Sequence, residues 1–421
     1  VVAYLTVMAA AGAPSILLSY DQQAWLFGNG ALTVAFSVYA LTLLAALLTC
    51  GSLSDHLGRR PLTVGSLAVT IVALAVFLHA HGIGDVIVAR ALQGFATGVA
   101  TSTMSASIVE LAPQRRQALA QTIVSLTTAG GLGIGVVLAG AAIQWTPSPN
   151  TVVFGTAVVV AIVVAVALTV LPETVTRRAG AISSLVPRVH LPADTRREFL
   201  RLAPGLVAIW MSAGLVLGLG GTLANSALHL SMGLTSALVV ATQPLVATLC
   251  TIALAPRVPA TVLLTTGYAA VAAGVTMEIL SFGTGMAALA VAGAVVTGLG
   301  YGGAFSGTLR SLLPSVKQRD RAGFFAAFYI VGYGAYGASA LCAGWMSDLV
   351  GLRTAGIGYG VATVLAALLA LSTYALSARR RHPASTPTRR GEPRHEHLHS
   401  LTPARNATTT SEHSSCRTET R

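Results

Sequence analysis

Apolar runs of about 20 residues, the length that crosses a ~30 Å hydrocarbon layer as a helix, recur along almost the whole of this sequence. In lipid every backbone N–H and C=O must find a partner within the protein, so each run is expected to be helical. One run alone would read as a targeting segment, whereas a dozen read as a polytopic membrane protein. Charged residues make up only 10% of the 421 residues, where a soluble domain carries about 25%. No single water-soluble core absorbs that deficit.

Read between charged and turn-rich breaks, the runs place helices near 1–20, 30–50, 62–81, 85–109, 118–144 and 151–171. A second set lies near 203–228, 234–254, 260–281, 285–309, 322–346 and 352–377. A polar, arginine-rich stretch over 172–202 separates them. The expectation is an all-α integral membrane protein: a six-helix bundle over 1–171, a cytoplasmic central loop, and a second six-helix bundle over 203–377. The halves share hydropathy and spacing but no strong sequence repeat. Residues 378–421 are rich in Arg, Ser, Thr and Pro, so a disordered basic cytoplasmic tail is expected there.

The net charge of +12 suggests nucleic acid only until its distribution is read. With a cytoplasmic N-terminus, 24 of the 26 Lys and Arg fall in inner loops or the tail. Arg353 alone falls in an outer loop, and Arg90 lies within a helix. That bias puts both termini in the cytoplasm and removes nucleic acid as a partner. Cys50, Cys250 and Cys342 lie in apolar runs and Cys416 in the tail, none in a CxxC spacing, so they read as packing residues. His395, His397 and His399 read as incidental to a solvated tail, and no metal site is expected.

The segment Gly51-Ser52-Leu53-Ser54-Asp55-His56-Leu57-Gly58-Arg59-Arg60-Pro61 falls in the first expected inner loop. Gly51 and Gly58 permit a tight turn between closely packed helices. Asp55 is placed to accept hydrogen bonds from a neighbouring helix N-terminus. Arg59, followed by Arg60, offers a guanidinium fork to a nearby acid. Here the sequence resembles the major facilitator superfamily, whose signature between helices two and three reads G-x-L-[AS]-D-x-x-G-R-[RK]. The resemblance implies two bundles related by a pseudo-two-fold axis and working by alternating access. It also implies a conformational latch of Gly51, Asp55, Gly58, Arg59, Arg60 and Glu110. Asp55 would face the start of the eleventh helix near Gly323, and Arg59 would pair with Glu110 at the end of the fourth.

A second element, Arg90-Ala91-Leu92-Gln93-Gly94, resembles the family's R-x-x-Q-G. An arginine inside a membrane helix is expensive and faces a polar cavity or a partner. Snorkelling toward the outer edge near Asp85 is the alternative. Gly94 and Gly98 form a GxxxG pair that allows close helix approach. The fifth helix carries Gly130, Gly131, Gly133, Gly135 and Gly140. This run is similar to that of proton-coupled exporters, except that Val136 stands where the family has proline. It reads as a tightly packed helix able to slide or bend. Leu171-Pro172-Glu173-Thr174 resembles the family's P-E-T exit from helix six. Ala255-Pro256-Arg257-Val258-Pro259 is a reduced counterpart of the first signature.

In this fold solute binds near the midplane between the halves. The candidates for that cavity are Gln93, Trp210, Asn225, Gln243, Tyr301, Tyr329, Tyr333 and Tyr336. The last three, spaced four and three apart, share one helix face. Asp21 closes the first helix and Glu278 lies near the outer end of the ninth, where water reaches both. The sharper expectation pairs Asp21 with Arg90 at outer depth, the carboxylate releasing and rebinding a proton as substrate arrives.

The sequence contains no P-loop, no HExxH and no Gly-x-Ser-x-Gly elbow, so neither an enzyme nor ATP drive nor a cofactor is expected. Resemblance to the twelve-helix drug–proton antiporters implies proton-coupled efflux of a small amphipathic compound across the plasma membrane by a functional monomer. A proton symporter importing a small metabolite is the alternative within transport. A non-transporting polytopic sensor or enzyme is the alternative from another class.

Overall fold

The computed structural model describes residues 1–51, 53–170, 173, 185, 189, 191 and 193–381; the side chains of Asp55, Ala118, Ala193, Asp194, Arg319 and 376–381 lie outside that description. Among the described residues, twelve helices are long and apolar enough to cross a membrane. They are α1 (Val2–Trp25), α2 (Asn29–Cys50), α3 (Arg59–Leu78), α4 (Ile83–Glu110), α5 (Leu119–Trp145) and α6 (Pro149–Thr169). The second set is α7 (Thr195–Ser226), α8 (Leu234–Ala253), α9 (Ala260–Thr284), α10 (Ala287–Ser315), α11 (Arg321–Val350) and α12 (Leu352–Ala375). The most apolar of them, α6, is also the least covered by its neighbours, and Val159, Val163 and Val166 on it are each 61% exposed. An exposed aliphatic stripe of this kind is suited to lipid rather than water.

Two ends differ from the sequence expectation in ways that matter for the site. Helical bonding ahead of α7 starts at Ala193, inside the stretch expected to be loop. Thr195, Phe199, Leu202 and Leu206 are buried while Arg196, Arg197 and Arg201 are exposed. Spacings of four, three and four put the buried residues on one helical stripe, which the density of arginines hides from a hydropathy reading. α1 runs on to Trp25, so Asp21 sits a turn inside the helix rather than at its end. Residues 382–421, with the three tail histidines and Cys416, lie outside the described residues, as does most of 171–192.

Helices α1–α6 pack chiefly among themselves, through α2 on α4, α3 on α4 and α6, and α1 on α5. Helices α7–α12 do the same through α9 on α10, α8 on α10, and α12 on α7 and α9. The two sets meet along α2–α11 and α5–α8. Small residues permit these approaches. A Cβ at Gly94 would fall on the Tyr39 carbonyl and the Thr42 hydroxyl of α2, and one at Gly98 on the Leu43 carbonyl. The glycine run of α5 serves two faces: Gly131 and Gly135 lie against Met8 and Ala9 of α1, while Gly133 and Gly140 lie against Leu245 and Ala237 of α8. Just ahead of it, Leu126–Gly130 forms a π-helical turn, a local widening that bends a helix.

Hydrogen bonds between the sets gather toward the end away from the Arg59 loop. Thr222 of α7 donates to Ser19 Oγ (3.0 Å), and Gln23 donates to Asn225 Oδ1 (3.1 Å). Gly30 N–H at the start of α2 donates to Asp348 Oδ2 of α11 (3.1 Å), an acid placed where the helix N-terminus favours it. A turn or two deeper, Ser37 Oγ donates to the Gly337 carbonyl (3.0 Å).

Candidate functional site

Arg90 lies on α4 with 1% of its surface exposed. The Phe36 and Tyr39 rings of α2 cover it, at 4.8 and 4.1 Å from ring centroid to Cζ, in cation–π geometry. Its Nη1 donates to Gln93 Oε1 one turn on (2.7 Å) and touches the Ala11 carbonyl at 3.5 Å, while Nε has no partner. Gln93 in turn donates Nε2 to the Ala10 carbonyl (2.9 Å). With both ends engaged and 1% exposure, Gln93 positions Arg90 instead of facing the cavity assigned to it.

Across from Arg90 stand the aromatic residues of the second set. Tyr336 of α11 and Tyr39 of α2 are within electrostatic reach of the guanidinium. Trp210 of α7 lies on Gly332, 4.4 Å from the Tyr333 ring centroid, and its indole N–H has no partner. Tyr329 follows at 6.0 Å from Tyr333, and Tyr301 of α10 stacks on Phe305 at 6.1 Å. Tyr301, Tyr329 and Tyr333 stay half-buried although they lie mid-helix, so the space they border is reachable. The structure therefore brings together Arg90, Trp210, Tyr301, Tyr329, Tyr333 and Tyr336 from both sets. Tyr39 joins them, a residue the sequence reading passed over although it too is an aromatic in mid-run.

Three expectations need correction. Asn225 is one residue from the end of α7, where it donates to the Leu230 carbonyl (3.0 Å) and accepts from Gln23; it is part of the closed end, not the cavity. Gln243 is 2% exposed and donates to Ser212 Oγ (3.0 Å), so it ties α8 to α7. Asp21 and Arg90 do not pair: Arg90 is level with Ala10 and Ala11, and ten helical residues at 1.5 Å each put Asp21 about 15 Å further along α1. Asp21 instead accepts from Asn150 Nδ2 at the start of α6 (2.6 Å).

Nor is either acid solvated. Asp21 is 4% and Glu278 5% exposed, and they are the buried carboxylates among the described side chains. Glu278 accepts from the Thr297 hydroxyl (3.0 Å) and borders a small cavity lined by Leu215, Gly220, Val240 and Phe282.

At the opposite end, Arg59 makes a two-pronged contact with Glu110, Nε to Oε2 at 3.1 Å and Nη2 to Oε1 at 2.6 Å. Its Nη1 also reaches Ser54. Gly58 has φ +104°, whereas Gly51 is helical at φ −56°, so Gly58 makes the turn. Glu173 accepts the backbone N–H groups of Arg59 and Arg60 (both 3.1 Å) and so caps α3; Arg60 also reaches the Thr169 carbonyl. That capping role was not foreseen, since the acid lies 114 residues from its partner. All these contacts stay within the first set. The Asp55 side chain, the expected link to the second, lies outside the described residues. In the second set Arg310 at the end of α10 holds the Ala255 and Val258 carbonyls of the α8–α9 loop, the latter at 2.9 Å. The loop's own Arg257 reaches the Ala253 carbonyl.

Twelve membrane-length helices in two sets, meeting around a buried arginine, define a multi-pass membrane protein. Residues 1–329 match the Major Facilitator Superfamily, and the chain belongs to that family, one of transporters rather than enzymes. Over 105 residues it is 30% identical to the inner membrane transport protein YajR of Escherichia coli strain K12, covering 25% of this chain and 23% of that protein. Over 87 residues it is 29% identical to the multidrug resistance protein MdtL of Klebsiella pneumoniae, covering 21% and 22%. The chain thus aligns with under a quarter of the length of these relatives. A bacterial homolog of the human lysosomal transporter Spinster, solved inward-facing and unoccupied, has the same fold: TM-score 0.71 at 13% identity, covering 91% of this chain and 97% of that one.

Proposed function

We propose that this chain is a secondary transporter that works by alternating access and exports a small amphipathic compound in exchange for protons. The observation that carries the reading is the convergence of Arg90, Tyr39, Trp210, Tyr333 and Tyr336 from both sets of helices on one level of the membrane. Rocking residues 1–171 against 203–377, joined through 172–202, would expose that level to one side and then the other. The hydrogen bonds at the Asp348 end are the contacts such a motion breaks, and the Arg59–Glu110 region anchors the latch at the other. Asp21 is the proposed proton carrier, because it is a carboxylate buried within α1 and held by the single neutral donor of Asn150. The partial likeness to MdtL supports export, and the basic loops support a plasma-membrane protein with both termini in the cytoplasm, acting as a monomer.

The test is uptake and release by purified protein in proteoliposomes under an imposed pH gradient, with a broad panel of charged and neutral aromatic solutes. Gradient-driven flux that is lost in Arg90→Ala supports the reading, and its direction separates export from import. Flux that ignores the gradient removes proton coupling. Absence of flux across the panel removes transport of aromatic solutes.

A further inference from the structure

The centre between the halves is chemically one-sided. A guanidinium carries five N–H donors and stays charged in proteins. At Arg90 the protein offers two acceptors, both to Nη1, and one of these is at 3.5 Å. Nε has no partner, and among the described residues Arg90 forms no ion pair. The Phe36 and Tyr39 rings cover its faces, so what remains is the Nε–Nη2 edge, a side-on fork of two parallel donors. The surrounding groups add further donors: the Trp210 indole N–H is unpartnered, and the Tyr301, Tyr329 and Tyr333 rings, each carrying a hydroxyl, stand beside it or follow it along α11 and α10. The carboxylates Asp21 and Glu278 are elsewhere, one bound to Asn150 and the other to Thr297.

A buried charge without a counter-ion is unfavourable unless something arrives to pair with it. Snorkelling is not available, because Arg90 is 1% exposed and pinned by Gln93, itself fixed to the Ala10 carbonyl. We propose that the transported compound is an aromatic anion whose carboxylate, sulfonate or phosphate oxygens dock on the Nε–Nη2 edge of Arg90. Its ring lies against Tyr301, Tyr329, Tyr333 and Trp210. A guanidinium edge matches two coplanar oxyanion oxygens, and the tyrosine and indole donors serve any oxygen left over. The same edge excludes organic cations, which the aromatic walls alone would welcome. This inference rests on the central site being the transport site, and its test is arranged so that the two can fail separately.

The experiment compares three probes of one shape on the full chain in lipid nanodiscs: benzenesulfonate, neutral benzenesulfonamide and phenyltrimethylammonium, with binding followed by calorimetry. Benzenesulfonate is expected to bind about tenfold or more tighter than the sulfonamide, the worth of one charge-assisted hydrogen bond, and phenyltrimethylammonium weakest. In Arg90→Gln the sulfonate preference should vanish while sulfonamide binding persists, which also reports that the variant is folded. Arg90→Lys should keep a reduced preference, having the charge without the fork. Equal binding of the three probes, no binding of the sulfonate, or a preference that survives in Arg90→Gln overturns the proposal. If the sulfonate binds as expected but does not cross proteoliposomes, the anion site stands and the transport reading falls. If the ammonium is carried and the sulfonate is not, transport stands and the anion site falls.

Discussion

Gln93 Nε2 donates to the Ala10 carbonyl at 2.9 Å, joining α4 to α1 at a place where α1 cannot satisfy itself. The cause is four residues on. Pro14 has no N–H, so the carbonyl it would have bonded is left open inside the membrane, where no water replaces the missing donor. Gln93 fills that gap with one end and holds Arg90 with the other. A proline in α1 thereby fixes the height of an arginine in α4.

The pair can be tested as a cycle. Gln93→Leu should lower stability by about 1–2 kcal/mol in total, because two buried groups lose partners but the unfolded chain in a membrane also finds replacements. In a Pro14→Ala background the Ala10 carbonyl regains its own helical donor, so the same change should be milder. Denaturation in mixed micelles on the four proteins would read this out. Strict additivity of the two changes would show that Pro14 and Gln93 are not linked.

The two-faced glycine run of α5 predicts that neighbouring substitutions have different outcomes. A Cβ at Gly135 would land on the Ala9 backbone carbonyl, which cannot move aside, so Gly135→Ala should reduce folded yield severely. A Cβ at Gly133 would meet the Leu245 side chain at 2.7 Å across the joint between the sets. That leucine can rotate, so Gly133→Ala should fold and instead slow turnover. Gly218, with nothing within 4 Å, is the neutral control. Monodisperse yield and initial flux rate separate the three.

The fold was legible because length and hydropathy are local properties, and a membrane admits few alternatives to a helix. Gly94 and Gly98 were legible for the same reason, since a four-residue spacing needs only one helix to interpret. The site was legible in kind but not in arrangement. Asp21 and Arg90 were expected at one depth, yet sequence gives depth only to within a turn or two, and ten residues of α1 separate their levels. Asn225 lies three residues from the end expected for the seventh helix at 228, so its place at the helix end was legible and the cavity assignment overlooked it. Tyr39 met the same criterion as Tyr333 and was passed over for want of a motif around it. Glu173 and Arg310 act on backbone groups far away in sequence, and no spacing rule reaches those.

Two buried acids make the proton assignment testable by exchange of single atoms. Asp21→Asn keeps a hydrogen-bonding partner for Asn150 but cannot take up a proton. It should abolish flux driven by a pH gradient while leaving exchange of substrate between two equal pools intact. Glu278→Gln, which keeps a group for Thr297, should leave gradient-driven flux within about twofold, since that acid faces a side cavity within the second set. The opposite pattern would move the proton to Glu278, and the loss of exchange in Asp21→Asn would mean that the residue serves structure instead.

Asp348 bridges the sets at the closed end through a single acceptor oxygen on the Gly30 N–H, and exposure to water limits what that contact is worth. Helix N-terminal anions at such sites contribute about 0.3–1 kcal/mol, or a two- to fivefold change in a two-state ratio. Asp348→Ala should therefore not unfold the protein but should shift its population toward the state open at that end. Ser37, buried a turn or two deeper against Gly337, is the reporter. A cysteine placed there should react with an impermeant maleimide two- to fivefold faster once Asp348 is removed, and at an intermediate rate when Asp348→Asn restores an acceptor without the charge. Equal rates in all three backgrounds would mean that the remaining bonds between Thr222, Gln23 and their partners hold that end closed without Asp348.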